Sequence, residues 1–304
     1  MKVVMSATIR HSQVRVQINV TLRTGQENFV IQHPNSKHIC KAQSSNTSRP
    51  LSRLINVDTS NLARQDDSPP PRVLTNLTTA AKMRVLCLHG GGINSRIFKT
   101  QTAEIRYELG DDITYDFVEG TIPSEMYPGV EIIAAASEQT FAYVDDKDPS
   151  TWLSIHQSLS QHLQTDGPYD GVIAFSQAAT LILSYIIHIT KERNSGKPVH
   201  VPFRFAVFFS IVLPPVDYTT LQEKRVVEME ADAARDLVDI PTAHIWGVKD
   251  PGAKGAEEAS RFCSPNTRWV YVHGGGHEIP GSGTKKAVVR TTHMIRRAIE
   301  SCGS

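Results

Sequence analysis

Three residue types that together can transfer an acyl group follow apolar runs in this 304-residue chain. The first is Ser176 in "VIAFSQAAT" (172 to 180). The run "GVIAF" leads straight into it, and "QAATLILSYIIHI" leaves it at helical spacing with no loop between. A strand-to-helix elbow of this kind strains the backbone at the serine and lifts its hydroxyl above the sheet. It also aims the helix N-terminus and the Gln177 N–H at any oxyanion. The turn needs small residues two before and two after the serine, where strand and helix crowd together. Glycine is usual at both; here they are Ala174 and Ala178, each one methyl larger. The competing reading is an ordinary serine N-cap on a core helix.

Asp250 lies in "IWGVKDPG", just past an apolar run, with Pro251 and Gly252 enforcing a turn. Alone it reads as a turn residue. His277 lies in "VYVHGGGHEIP", where three glycines free the backbone to carry an imidazole back over the strand ends. His273 is equally possible by composition, but His277 lies beyond the glycines rather than at the strand end. A serine attacked by no base is a weak nucleophile, whereas a Ser–His–Asp set can take its proton and hold the resulting imidazolium. A second glycine cluster, "LCLHGGGIN" (87 to 94), can present a backbone N–H toward Ser176 as a further oxyanion donor, at Gly91 or a neighbour. His89 at its start is read as shaping that turn. The cluster does not meet the dinucleotide pattern G-x-G-x-x-G, and it lacks the G-K-[ST] of a P-loop.

The elements that must position these groups alternate between short apolar runs and longer helical stretches. This is the signature of a mostly parallel sheet with helices on both faces. Strands are expected at 84–89, 113–118, 171–176, 204–210, 242–247 and 268–273. Most are near-continuous apolar runs, as strands covered on both faces should be. Helices are expected at about 94–109, 150–164, 177–193, 255–263 and 284–301. In such a sheet ligands meet the chain beyond the carboxyl ends of the strands, where His89, Ser176, Ser210, Asp250 and His277 all fall.

Residues 1–82 are different material. They hold 11 Lys and Arg against 4 Asp and Glu, leaving 21 against 27 for residues 83–304. They are rich in Ser, Thr, Asn and Gln, with too little apolar surface to offset ordering entropy, so a disordered or non-native extension is expected. "VRVQINVTL" (14–22) alternates as a short strand would. An organelle transit peptide is a second reading of the composition, and an over-extended gene start at Met83 a third. The basic residues form no dense patch with interleaved aromatics, which argues against nucleic acid. No run of 18 apolar residues occurs, so no membrane-spanning helix is expected. Cys40, Cys87, Cys263 and Cys302 show no metal-ligand spacing, and a reduced cytoplasmic protein without metal or cofactor is the simplest expectation.

Taken in combination, "MRVLCLHGGGINSRIFKTQTAEIRYELGDDITYDFVEG" (83–120), "FAYVDD" (141–146), "GPYDGVIAFSQAA" (167–179), "PFRFAVFFS" (202–210), "IPTAHIWGVKDP" (240–251) and "VHGGGHEIP" (272–280) resemble the fungal serine hydrolase family. That family has the α/β-hydrolase fold and includes the off-loading thioesterase of lovastatin biosynthesis and esterases of polyketide gene clusters. The likeness spans 83 to about 300 in register. It implies a nucleophile at Ser176, an aspartate at Asp250 and a base at His277, in the chain order such hydrolases use. The family's G-F-S-Q-G is altered by Ala174 and Ala178. The resemblance also implies an ester or acyl thioester substrate of polyketide type, with the acyl-carrier domain of a polyketide synthase as a partner. A general short-chain carboxylesterase is the alternative. A catalytically inactive binding protein of the same fold is the alternative from another class. The segments 121–146 and 213–240 sit between strands at the site face, where Met126, Tyr127, Phe141, Tyr143, Leu213 and Tyr218 suit the walls of an apolar acyl site.

Overall fold

A computed structural model describes residues 3–11, 14–23, 26–32, 82–135 and 137–303. The chain divides into two units, Met1–Asn76 and Leu77–Ser304. In the first, strands β1 (Val3–His11), β2 (Val14–Arg23) and β3 (Gln26–Gln32) pair antiparallel in that order. The strand expected at 14–22 is β2, which is paired on both sides and so has the ladder bonds an isolated strand lacks. Residues 1–2, 12–13, 24–25 and 33–81 of the expected extension lie outside the described residues.

The second unit is built on six strands: β4 (Met83–Leu88), β5 (Ile113–Val118), β8 (Gly171–Phe175), β9 (Phe205–Phe209), β10 (Thr242–Gly247) and β11 (Arg268–His273). They lie in the order β11-β10-β9-β8-β4-β5, and every neighbouring pair is parallel. A short antiparallel pair, β6 (Ile122–Ser124) and β7 (Thr140–Ala142), stands apart from this sheet. The helices are α1 (Ser95–Gln101), α2 (Ala103–Leu109), α3 (Pro149–Thr165), α4 (Gln177–Asn194), α5 (Tyr218–Gln222), α6 (Ala253–Ser260) and α7 (Lys285–Glu300).

Side chains alternate along a strand, so each buried strand feeds two cores. Leu86, Leu88, Val172, Ala174, Ala206, Phe208 and Trp246 join one core with α3, α4 and α6. Val85, Cys87, Ile173, Phe175, Val207, Phe209 and Ile245 join the other with α1, α2 and α7. This is the α/β-hydrolase arrangement expected from sequence. The central strands β8 and β9 are buried at every residue, while the edge strands β5 and β11 keep part-exposed positions. α7 shows its amphipathic design: Ala287, Val288, Thr291, Thr292, Ile295 and Ala298 are buried at helical spacing.

One expectation needs correction. The single helix at 94–109 is two, broken at Thr102, whose hydroxyl donates to the Phe98 carbonyl at 2.8 Å alongside its own N–H. That side-chain bond competes for the carbonyl the helix would use. The segment 213–240, read only as an insertion, contains the one-turn helix α5, capped by Asp217, whose carboxylate accepts the Thr219 N–H at 2.8 Å.

Candidate active site

Ser176 joins β8 to α4 directly, with φ +56° and ψ −120°. A side chain rarely adopts this region, at a cost of about 1–3 kcal/mol. The surroundings hold it there. Its N–H donates to the Phe209 carbonyl of β9 at 2.9 Å, and its carbonyl accepts the N–H groups of Ala179 and Thr180 at 3.0 and 3.2 Å. Its side chain does not cap α4. Instead Oγ lies 3.0 Å from Nε2 of His277, and the N-cap reading fails on that geometry. Ala174 and Ala178 are both 0% exposed, so the two methyls are absorbed in the strand–helix junction while Ser176 keeps its contact with His277.

Asp250 lies in the turn after β10. Its Oδ1 accepts the Gly252 N–H at 2.8 Å and its Oδ2 stands 2.9 Å from His277 Nδ1. A carboxylate facing Nδ1 is an acceptor, so that contact requires the imidazole proton at Nδ1 and leaves Nε2 as the nitrogen that faces the serine hydroxyl. Asp250 is 6% exposed, which keeps this contact out of bulk water. The loop bearing His277 reaches back because position 247 is glycine. A Cβ there would collide with the carbonyl oxygens of both Gly275 and Gly276. The return is tied by the Val248 N–H to the His273 carbonyl and the Lys249 N–H to the Gly275 carbonyl, at 2.8 and 2.9 Å. His273 makes no contact with Ser176 or Asp250 among the hydrogen bonds of the described residues. Its Nδ1 accepts the Gly275 N–H at 3.2 Å, and burial lowers its pKa.

The two residues expected to give oxyanion donors are Gln177, at the elbow, and Gly91, in the glycine turn. The Gln177 N–H opens α4, where the first N–H groups have no intrahelical acceptor. The glycine turn runs beside it: a Cβ at Gly90 would be 3.0 Å from Ser176 Cβ, and one at Gly91 would be 3.7 Å from the Gln177 side chain. The Gly92 N–H is already given to the Phe141 carbonyl at 3.0 Å. Ser210, also at a strand end, is fully buried with its hydroxyl unpartnered among the described residues.

The expected walls divide. Tyr127 sits against His277, with ring centroids 5.4 Å apart, and is 43% exposed. Tyr143 is instead a core residue whose hydroxyl donates to the Val118 carbonyl at 2.7 Å. Tyr218 stacks on His188 at 3.8 Å and lines a hollow of about 300 Å³ that none of Ser176, Asp250 and His277 borders. Two contacts carry no signal in the sequence. Phe175 stacks on His277 at 5.1 Å. The Gln177 amide bolts the elbow to the segment after β7, accepting the Tyr143 N–H at 3.1 Å and donating to the Val144 carbonyl and Asp146 Oδ1 at 3.1 and 3.0 Å. Burial raises the Asp146 carboxyl above its ordinary range. Among the described residues no three His, Cys, Asp or Glu side chains converge as metal ligands would, and no helix is long and apolar enough to cross a membrane.

This chain is similar to Esterase FPY3 of Fusarium mangiferae, 34% identical over 221 residues that cover 72% of this chain and 95% of that protein. It is similar also to Esterase FUS5 of Gibberella fujikuroi, 28% identical over 217 residues that cover 66% of this chain and 80% of that one. A solved carboxylesterase from Mesorhizobium loti matches with a TM-score of 0.45 at 16% identity, covering 70% of this chain and 88% of that one. The pattern of the family described as Serine hydrolase (FSH1) matches residues 78–289, and the chain belongs to that family.

Proposed function

We propose that this serine hydrolase is an esterase or thioesterase that releases or trims a polyketide-type acyl chain, with Ser176, His277 and Asp250 as its catalytic residues. The observation that carries the reading is the pair of contacts, 3.0 Å from Ser176 Oγ to His277 Nε2 and 2.9 Å from His277 Nδ1 to Asp250 Oδ2, at a strained elbow. In the first half-reaction His277 Nε2 takes the serine proton as Oγ attacks the ester or thioester carbonyl carbon. The carbonyl oxygen becomes an oxyanion facing the Gln177 and Gly91 N–H groups. The carbonyl reforms, the bond to the alcohol or thiol breaks, and His277 returns the proton to that leaving group. In the second, His277 takes a proton from water, the hydroxide attacks the acyl-serine, and Ser176 leaves with the proton as the free carboxylic acid is released.

Both similar proteins named above are called esterases, which supports the reaction class. The half-exposed ring of Tyr127 beside His277 suits an apolar acyl chain near the reacting carbonyl. A carrier-bound acyl thioester would deliver such a chain, so an acyl-carrier domain belongs to the same proposal. The buried unpaired thiols of Cys87 and Cys263 fit a reducing cytoplasmic setting. We assign the catalytic unit to residues 83–304 and treat residues 1–82 as an extension outside it. The test is a panel of aryl esters and N-acetylcysteamine thioesters of increasing acyl length. The reading expects thioester turnover with kcat/KM rising with acyl length. Good hydrolysis of short aryl esters with thioesters untouched would leave the short-chain carboxylesterase instead.

A further inference from the structure

His89 is the first residue after β4 and is 0% exposed. Its ring is held at both ends. Nδ1 lies 2.7 Å from the Gly90 carbonyl oxygen. Nε2 lies 2.9 Å from the Gly120 nitrogen and 2.8 Å from Glu119 Oε1. Glu119 is in turn fixed by the Ser95 N–H and hydroxyl at 3.0 and 2.9 Å, at the start of α1. The His89 N–H donates to the Tyr143 hydroxyl at 3.2 Å. A carbonyl oxygen can only accept, so the contact at Nδ1 requires the proton there, whether or not Nε2 is also protonated. Nε2 accepts the Gly120 N–H when the ring is neutral, the form that burial favours by lowering the His89 pKa, and donates to Glu119 Oε1 when the ring is charged.

The carbonyl that Nδ1–H holds belongs to the same peptide unit as the Gly91 N–H. That unit is planar and trans, so its N–H points opposite to its C=O. Anchoring the Gly90 oxygen on the imidazole therefore aims the Gly91 N–H away from the imidazole. The two α-carbons flanking that unit both face the elbow: a Cβ on Gly90 would meet Ser176 Cβ at 3.0 Å, and one on Gly91 the Gln177 side chain at 3.7 Å. Glycines on both sides leave this peptide free to rotate unless something holds it. If it turned over, the Gly90 carbonyl would face the developing oxyanion in place of a donor.

We propose that His89 is a positioning residue for acyl transfer, whose Nδ1–H locks the peptide between Gly90 and Gly91 so that the Gly91 N–H is presented to the oxyanion. The proposal rests on the reading of Ser176 as the nucleophile. Two variants separate the ring's two ends. His89→Asn puts an amide N–H close to the position of Nδ1 and keeps the bond to the Gly90 carbonyl. His89→Gln puts its amide near Nε2, keeps a partner for Gly120, and loses the Gly90 bond.

Loss of one oxyanion donor lowers kcat by about 10²–10³-fold. His89→Gln is expected to lose that much with KM within about threefold, and His89→Asn to stay within about tenfold of wild type. The affinity of a trifluoromethyl ketone, which forms a tetrahedral oxyanion on the serine, should fall in His89→Gln by the same factor as kcat/KM. Equal losses in the two folded variants, or a His89→Gln enzyme that keeps wild-type kcat and ketone affinity, overturn the proposal. If neither variant folds, the imidazole 15N spectrum of the wild-type chain reads the tautomer directly, and an Nε2-protonated neutral His89 overturns it. Failure of the Ser176 reading shows differently, as a wild-type enzyme whose hydrolysis and ketone binding survive Ser176→Ala.

Discussion

Replacing Asp250 with asparagine separates charge and tautomer from packing, because the carboxylate is already oriented by a second bond. Its Oδ1 accepts the Gly252 N–H at 2.8 Å. In Asp250→Asn the amide oxygen is the only atom able to take that N–H, so the amide NH₂ must face His277 Nδ1, 2.9 Å away in the wild type. A donor at that place forces the imidazole proton onto Nε2, the atom that lies 3.0 Å from Ser176 Oγ and must be bare to act as base. The site then holds the wrong tautomer with its geometry intact. The expected loss is about 10⁴-fold in kcat, or about 5.4 kcal/mol of transition-state stabilisation. The assay is steady-state hydrolysis of an aryl ester between pH 6 and 9, with thermal unfolding to show that the fold is retained. A folded Asp250→Asn enzyme within tenfold of wild-type kcat would refute the assignment of Asp250 as the group that orients His277.

Three further outcomes are expected. Ala178→Gly removes a fully buried methyl and adds a glycine to the first turn of α4, so it should lower stability by about 1–2 kcal/mol with kcat within about threefold, read from urea unfolding and ester turnover. A gain of tenfold or more in kcat would show that the methyls distort the elbow. Burial pushes His156 and His244 down to about 3. The unfolded chain takes up protons below about pH 6.5 that the folded chain refuses, so their contribution is complete above that pH and is lost as pH falls toward 3. At pH 5 the two together cost about 4 kcal/mol relative to neutral pH. His244→Leu should remove about half of this slope in urea unfolding at a series of pH values, and an unchanged slope would contradict it. A chain beginning at Met83 should fold and keep wild-type kcat on a short ester, and a kcat loss above tenfold would tie residues 1–82 to the catalytic unit.

The strands were legible in the sequence as short runs rich in β-branched and aromatic residues, near-continuously apolar at the sheet centre and mixed at its edges. β5, β10 and β11 begin and end where "ITYDFV", "TAHIWG" and "RWVYVH" do. The break at Thr102 was not, because it depends on a hydroxyl finding the carbonyl one turn back, which helical periodicity does not register. Nor was the pairing of β6 with β7, whose three-residue strands are too short for an alternation to show. Ser176, Asp250 and His277 stood out because each follows a strand by a few residues, and parallel strands bring their carboxyl ends to one edge. The side-chain functions of Tyr143 and Gln177 did not. One is set by the reach of the ring to the Val118 carbonyl at the end of β5, the other by where the segment after β7 crosses the elbow. Ala174 and Ala178 are the instructive case. A missing motif glycine suggests a broken elbow, whereas both methyls lie fully buried where β8 meets α4.

The central claim is that Ser176 is the nucleophile, and covalent capture tests it most directly. Purified protein treated with a fluorophosphonate should gain one phosphonyl group by intact mass, mapped by peptide fragmentation to Ser176, and Ser176→Ala should gain none while keeping its unfolding temperature. A folded wild-type chain that stays unlabelled, or a Ser176→Ala chain labelled at the wild-type rate, would contradict the account.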